Sequence, residues 1–166
     1  MRRSRSRCVN VDVRLRRVEP GDLYYIVELE EKAFGPDAFS LDYLFYLYNR
    51  CRDYFFVADY KGLVVGYIVS CREGSQLHVH SVAVVEELRG RGIGRKLLEE
   101  TIRIARENGL KAVYLEVKTT NTPALRLYEK LGFKRIGVKE KYYNDGSDAY
   151  LYALSLEENT PGNLQS

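Results

Sequence analysis

The chain has 166 residues, of which 45% are hydrophobic and 30% are charged, and its formal net charge is +3. This length suits one domain with a full hydrophobic core, and no run of about 20 apolar residues is present to span a bilayer. Residues 1–17 hold seven arginines and one aspartate, so the rest of the chain is mildly acidic. That distribution argues against a nucleic-acid-binding domain, whose basic residues should line one folded face.

The two ends of the chain differ from its centre. Residues 1–10 are rich in arginine and predict a flexible basic tail, and no apolar core follows to make them a secretory signal. A cytoplasmic location is therefore expected. This tail is interpreted either as a solvated terminus or as a contact with ribosomal RNA. Residues 11–156 predict a single domain, and residues 157–166 predict a disordered tail.

The cysteines are Cys8, Cys51 and Cys71, an odd number at wide spacing. This pattern fits neither a disulfide framework nor a zinc cluster. Three free thiols are therefore expected.

The first half of the domain predicts a strand, two helices and then three strands. Apolar and charged residues alternate in the first strand, and the helices carry apolar residues at helical spacing. These six elements are expected over residues 11–19, 23–34, 42–50, 54–60, 63–71 and 77–85.

The second half predicts a helix from residue 93 that stops at Asn108-Gly109, and then a strand over 112–118. A second helix begins with Thr122 as its cap and ends at Gly132, and two strands follow over 133–143 and 149–156. The order β-α-α-β-β-β-α-β-α-β-β predicts a mixed α/β sheet, with a parallel βαβ unit inside it.

A glycine-rich turn, RGRGIGR at residues 89–95, joins a strand to the amphipathic helix. A helix N-terminus presents unpaired N–H groups and partial positive charge, and glycines let an anion approach the backbone. The turn lacks the lysine and hydroxyl residue of a Walker motif and does not match GxGxxG. Nucleotide hydrolysis and dinucleotide binding are therefore disfavoured, while a tight turn without a ligand remains open.

Three segments carry a family resemblance: RGRGIG at 89–94, LEVKTTNTPALRLYEKLGF at 115–133 and KYYNDGSDAYLYAL at 141–154. Together they resemble the Gcn5-related N-acetyltransferase (GNAT) superfamily, whose acetyl-CoA signature is [Q/R]xxGx[G/A]. The last segment is similar to archaeal protein N-terminal acetyltransferases, a type related to the ribosomal-protein-alanine acetyltransferases. The resemblance covers about residues 11–156.

The resemblance implies a GNAT fold, with a twisted mixed sheet of about seven strands flanked by about four helices. It also implies acetyl-CoA as cosubstrate, no metal, and acetyl transfer to the free α-amino group of protein N-termini or nascent peptides. In such a fold the strand bearing Val82 to Val84 bulges away from the strand bearing Glu116, and the pantetheine arm pairs with its edge. The implied acetyl-CoA contacts are Val82, Ala83, Val84, Arg89, Gly90, Arg91, Gly92, Ile93, Gly94, Arg95, Asn121 and Tyr128.

The candidate catalytic residues are Glu116, His78 and Tyr128. Glu116 interrupts an apolar strand, where a carboxylate is costly to bury unless it faces a polar cleft. The resemblance makes Glu116 the first proton acceptor and His78 the second, and it places Tyr128 beside the CoA sulfur. It also makes the N–H of Val84 the oxyanion donor. An outward-facing glutamate, a structural histidine and a core tyrosine remain as alternatives.

His80 matches no functional position of the family and receives no role. A metal site is not expected, because His78 and Glu116 provide two ligands and the sequence indicates no third.

The acceptor is expected between the loop GPDAFS (35–40) and the loop KYYNDG (141–146). By resemblance, Tyr142 and Tyr143 bond the peptide backbone, Phe39 lines the pocket for the first side chain, and Asp37 lies near a position that tunes substrate choice. A tyrosine-rich surface hairpin is the alternative.

Two other functions remain open. One is a lysine or small-amine acetyltransferase on the same fold, which the groove-narrowing KYYNDG segment disfavours. The other is a noncatalytic CoA-binding or ribosome-docking module, which the combination of Glu116, His78 and Tyr128 disfavours.

Overall fold

The computed structural model describes residues 11–157. The predicted tail over 1–10, which includes Cys8, lies outside the described residues, and so does the tail predicted over 157–166 except for residue 157. Within the described part, no helix is both long enough and apolar enough to cross a membrane.

Seven strands form one mixed sheet, and four α-helices pack on it in the described part of the chain. In chain order the elements are β1 (Arg14–Arg17), α1 (Leu23–Phe34), α2 (Leu41–Cys51), β2 (Phe55–Tyr60), β3 (Leu63–Glu73), β4 (Gln76–Val84), α3 (Ile93–Glu107), β5 (Ala112–Lys118), α4 (Thr122–Lys130), β6 (Lys134–Lys139) and β7 (Ala149–Ser155). The strand order in the sheet is β1-β2-β3-β4-β5-β7-β6. The predicted element order and the predicted mixed α/β fold are confirmed.

Helices cover both faces of the sheet. On one face, α1 and α2 bury Leu23, Ile26, Leu44 and Leu47 against the central strands. On the other face, α3 buries one apolar stripe that includes Leu97. Each helix repeats its apolar residues at three- and four-residue spacing, so each presents one stripe to the sheet. Layers on both sides leave the ends of the strands as the place where a ligand can enter.

The two central parallel strands separate soon after they meet. β4 and β5 pair only from Gln76 to His78, opposite Ala112 to Tyr114. Beyond this point their backbones part, although both strands continue for several residues. The expected gap between these strands is therefore present.

A bulge in β4 lies at His80, just before the residues for which the resemblance implied one. Val79 pairs with Ser70 and Ser81 pairs with Val69, so His80 is the extra residue. Because side chains alternate along a strand, one extra residue exchanges the two faces. Val79 packs on the α3 side, whereas Ala83 packs on the α1 and α2 side.

Several predicted element ends are corrected. The strand predicted over 133–143 ends at Lys139, because Lys141 takes a left-handed conformation with φ 51° and begins a turn. The cap of α4 is Asn121 and not Thr122, since the Asn121 side chain accepts a hydrogen bond from the N–H of Ala124. The first strand is shorter than predicted and spans four residues.

The prediction of free thiols is wrong for Cys51 and Cys71, which form a disulfide with a Cα–Cα distance of 5.1 Å. Cys51 is the last residue of α2, and Cys71 lies in β3. The pairing escaped prediction because it depends on α2 packing across β3, a tertiary contact that cysteine spacing does not reveal.

Removing this disulfide in the Cys51→Ala/Cys71→Ala double variant should destabilise the fold. The pair closes a loop of 20 residues, and loss of that constraint costs about 3 kcal/mol, or a melting temperature lower by about 6–12 °C. Thermal melts of the oxidised wild type and of the variant measure the shift. Cys8→Ser is the control, because it leaves the pair intact. Three reactive thiols in denatured, unreduced wild-type protein would contradict the assignment.

Candidate active site

The gap between β4 and β5 opens into a cleft of about 470 Å³. Eight of the predicted site residues line this cleft, whereas His78, Ala83, Val84 and the residues of the glycine-rich turn do not. Those in its lining are Asp37, Phe39, Val82, Glu116, Asn121, Tyr128, Tyr142 and Tyr143. The lining also includes His80, to which the sequence assigned no role.

Glu116 lies on β5 at the polar centre of the cleft. Its carboxylate accepts a hydrogen bond from Lys139 Nζ at 2.7 Å, and its other oxygen lies 2.7 Å from His78 Nε2. Burial alone would raise the pKa of Glu116, but the bonds to His78 and Lys139 outweigh it and lower the pKa to about 2. The group is therefore an anion throughout the working pH range.

His78 stands behind Glu116 and is not part of the cleft lining. Its Nε2 faces Glu116, and its Nδ1 lies 3.3 Å from Glu73 Oε2. Burial opposes protonation, but the contacts with Glu116 and Glu73 outweigh it, so the pKa of His78 is raised. The structure brings His78 and Glu116 together as the sequence predicted. Lys139 was missed, because β6 reaches the cleft only through its pairing with β7.

Tyr128, on α4, lies 7% exposed at the inner wall of the cleft. Burial raises the pKa of its phenol to about 12. The hydroxyl therefore keeps its proton at neutral pH and is a hydrogen-bond donor.

Asn121 combines two tasks at the start of α4. Its side-chain oxygen accepts from the N–H of Ala124, at 3.3 Å, and caps the helix. The amide NH₂ of the same side chain remains as a donor at the cleft.

The glycine-rich turn begins α3 with free backbone donors. Gly90 and Gly92 have φ of 78° and 87°, a left-handed conformation that favours glycine. No side chain caps the helix, and the Lys96 N–H donates to the Gly92 carbonyl, which closes the first helical turn. Like the other N–H groups of a first helical turn, those of Ile93 to Arg95 lack an intrahelical partner.

The side chains around this turn are less free to bind a ligand than its backbone N–H groups are. Arg89 Nε donates to the Val84 carbonyl at 3.2 Å, and Arg95 Nε pairs with Glu99 at 3.0 Å. Ile93 is buried and anchors the helix to the sheet. A Cβ on Gly94 would meet its nearest neighbours only at 3.9 Å, so protein packing does not require glycine there. Arg91 is half-buried.

The β4 residues beyond the bulge differ in whether their side chains face the cleft or the hydrophobic core. Val82 lines the cleft. Ala83 packs into the core under α1 and α2, so only its backbone can face a ligand. Val84 is half-buried and packs against the opposite core.

The two predicted acceptor loops touch each other. The Asn144 backbone N–H donates to Asp37 Oδ1, and the Asn144 side-chain amide donates to the Pro36 carbonyl, each at 2.9 Å. Tyr142 and Tyr143 sit edge to face with ring centroids 4.9 Å apart. The contact joins two loops that both contribute side chains to the cleft lined by Glu116.

Comparison with known proteins identifies the family. The acetyltransferase (GNAT) family model matches residues 23–133. The chain belongs to the GNAT family. It is 38% identical over 161 residues to an N-alpha-acetyltransferase of Sulfurisphaera tokodaii, with 87% of this chain and 94% of the relative covered. It is 37% identical to an N-alpha-acetyltransferase of Saccharolobus solfataricus, with the same coverage.

Among solved structures, the acetyltransferase is similar to Ard1 from Thermoplasma volcanium. The TM-score is 0.85 at 28% identity, and the alignment covers 89% of this chain and 100% of the other. This likeness confirms the GNAT fold that the motifs implied.

The cleft of the acetyltransferase fits acetyl-CoA. Unpaired N–H groups at the start of α3 suit a diphosphate, and the freed edge of β4 past His78 suits the amides of the pantetheine arm. The Tyr128 hydroxyl and the Asn121 amide lie on the same cleft. The protein is an acetyl-CoA-dependent acyltransferase.

Glu30 is a buried residue of the acetyltransferase that sequence reasoning missed. It is 1% exposed and accepts hydrogen bonds from the hydroxyls of Tyr67 and Ser81. Its other oxygen accepts from the Phe39 backbone N–H at 2.8 Å. One carboxylate thus joins the acceptor loop to β3 and β4. Helical spacing places Glu30 on the apolar face of α1, and a carboxylate on that face is the sequence feature that could have indicated a buried role.

Replacing Glu30 by glutamine should loosen the acceptor loop of the acetyltransferase. The change removes the charge from three hydrogen bonds and should cost about 1–3 kcal/mol of unfolding free energy. Denaturant melts measure the stability, and hydrogen exchange of the Phe39 amide should become faster. Glu31→Gln is the matched control, because Glu31 is exposed on the same helix. Equal stability and exchange in both variants would show that Glu30 has no anchoring role.

Proposed function

We propose that this acetyltransferase transfers the acetyl group of acetyl-CoA to the free α-amino group of protein N-termini or nascent peptides. The observation that carries the proposal is the contact between Asp37 and Asn144, which ties together two loops whose side chains line the cleft with Glu116. A free N-terminus has backbone on one side only, so it can enter a groove between two linked loops. An internal lysine has backbone on both sides, and the linked loops obstruct its approach. The names of the two archaeal relatives support the same acceptor.

In this proposal Glu116 and His78 accept the amine proton. The α-amino group has a reference pKa of about 7.7–8.0, so part of it is already neutral near pH 7 and its deprotonation needs only a weak base. The ionised carboxylate of Glu116 bonds the amine directly or through a water molecule and directs its lone pair toward the thioester carbon. His78, 2.7 Å from Glu116, holds that carboxylate in place and is the second acceptor.

Tyr128 assists the leaving group. As the amine nitrogen bonds to the carbonyl carbon, the C–S bond breaks and the negative charge moves to sulfur. The Tyr128 hydroxyl, which keeps its proton at neutral pH, donates a hydrogen bond to that thiolate. The N–H of Val84 remains the proposed donor to the oxyanion.

The acceptor peptide is proposed to lie between the two bridged loops. Tyr142 and Tyr143 bond its backbone, and Phe39 lines the pocket for its first side chain. Asp37 acts on substrate choice by holding the opposite loop. Lys139 lies over the Tyr142 ring and Lys118 over the Tyr143 ring, at 5.4 and 5.1 Å from the centroids, which favours one orientation of each ring.

The wider setting is also a proposal. The sequence predicts an archaeal protein that works in the cytoplasm as one domain over residues 11–156. Contact with the ribosome through the arginine-rich residues 1–10 would bring the cleft near emerging N-termini.

Acetyl-CoA and a peptide panel test the function. Peptides with a free N-terminus should be acetylated at the α-amino group, as located by mass spectrometry. The matched peptides carry a blocked N-terminus and an internal lysine, and they should react far more slowly. Equal or faster transfer to lysine would reject the proposed acceptor, and acetyl-CoA binding without any transfer would indicate a noncatalytic module.

Glu116→Gln and His78→Ala test the proton acceptors. At pH 6.5 about 5% of an α-amine with pKa near 7.8 is neutral, against about 95% at pH 9. Glu116→Gln should therefore lose more kcat at pH 6.5, by about 100-fold, than at pH 9. His78→Ala should lose relatively less at pH 6.5, because the raised pKa of His78 leaves most of its rings protonated there and unable to accept a proton. Glu107→Gln, at the exposed end of α3, is the control. Parallel pH profiles in wild type and both variants would show that neither residue handles the proton.

A further inference from the structure

Three side chains with metal-binding atoms converge at the outer end of β3 and β4. Glu73, His78 and His80, here called the histidine cluster, each place one ligand atom within 4.8 Å of the others. His78 Nδ1 lies 3.3 Å from Glu73 Oε2, and His80 Nε2 lies 3.8 Å from the same oxygen. Ligand atoms around tetrahedral zinc are separated by about 3.3–3.5 Å, so small side-chain movements suffice.

The strand geometry holds these residues together. Glu73 is the last residue of β3, and β4 returns after a tight turn. His78 and His80 are two residues apart and share a face, with ring centroids 4.4 Å apart. Glu73 was not predicted as a third ligand, because its position beside His78 follows from the pairing register of β3 and β4.

His78 lies between two carboxylates, and its neutral ring has an N–H for only one of them. Its Nε2 faces Glu116 and its Nδ1 faces Glu73. Only a protonated imidazole has an N–H for both carboxylates; when the ring is neutral and Nε2–H donates to Glu116, the Nδ1 lone pair faces the lone pairs of Glu73. A metal ion bound between Nδ1 and Glu73 replaces the repulsion between their lone pairs with two coordinate bonds.

Two further contacts orient the ligands in the way that metal sites require. Glu116 bonds the other nitrogen of His78, which is the carboxylate–histidine arrangement behind many zinc ligands. The Tyr114 hydroxyl donates to Glu73 Oε1 at 2.5 Å, and its ring stacks on His78 at 4.4 Å. Both ligands are thus fixed from outside the cluster.

We propose that Glu73, His78 and His80 bind one divalent transition-metal ion such as Zn²⁺, and that the bound ion inhibits acetyl transfer. Two imidazoles and one carboxylate are a donor set that suits Zn²⁺, with water in the fourth position. The Glu73 side chain is 47% exposed, which provides an entry path for the ion. Inhibition follows because metal on Nδ1 leaves Nε2–H on Glu116, so His78 has no free nitrogen with which to accept the amine proton. The inhibition rests on the proposed function, whereas the binding does not.

Calorimetry with ZnCl₂ tests the binding on chelator-treated protein without a histidine tag. The wild type should bind one ion, and Glu73→Gln and His80→Ala should each weaken binding by at least about tenfold. Glu31→Gln is the matched control and should bind like the wild type. Co²⁺ should give visible absorption bands of a tetrahedral site in the wild type and lose them in both variants. Melting curves confirm that each variant is folded.

Acetylation assays with and without Zn²⁺ test the inhibition. Each protein is compared with its own metal-free rate; the wild type and Glu31→Gln should lose activity, while Glu73→Gln and His80→Ala should resist. Absence of stoichiometric binding, or equal binding by both ligand variants and the wild type, overturns the site. Stoichiometric binding without inhibition overturns the regulatory part. Failure of metal-free protein to acetylate peptides counts against the proposed function, and calorimetry still decides the site.

Discussion

The separation of β4 from β5 is the constraint on which the site depends. The two strands share only three residue pairs, and the bulge at His80 then exchanges the faces of β4. The first feature frees a strand edge for an extended ligand. The second turns Ser81 toward Glu30 under α1, while Val82 stays on the cleft. Cofactor and acceptor surfaces therefore arise from one local departure from regular pairing.

Charge balance explains how a carboxylate is tolerated at the centre of the cleft. The Glu116 side chain is 7% exposed and has His78 on one side and Lys139 on the other. Burial of an isolated carboxylate is costly, and two cationic or hydrogen-bonding partners offset that cost. The same partners keep Glu116 ionised, so in the proposed reaction it receives the amine proton only in passing and relays it onward. Such an acceptor suits an amine that loses its proton near neutral pH.

Much of the fold was predictable because local signals agreed with the global arrangement. Apolar patterning, together with cap and turn residues, predicted the order of all eleven strands and helices. The positive φ of Gly90 and Gly92 agrees with the glycine-rich turn predicted before α3. Glu116 stood out as a charge inside an apolar strand. In contrast, Glu73 meets His78 only through the register of the β3–β4 hairpin, and Lys139 and the disulfide partner of Cys51 depend on contacts between distant segments. No spacing rule encodes these contacts, since strand order and helix docking create them.

The clasp between Asp37 and Asn144 joins positions 107 residues apart. The proposed acceptor groove is therefore complete only when the segment around residue 144 has folded against the loop at residue 37. During synthesis residue 144 must leave the ribosome before the enzyme can hold an acceptor. A chain that stops before residue 141 would lose both the clasp and β7, the strand that joins β5 to β6, so acceptor recognition and completion of the sheet depend on the same late segment.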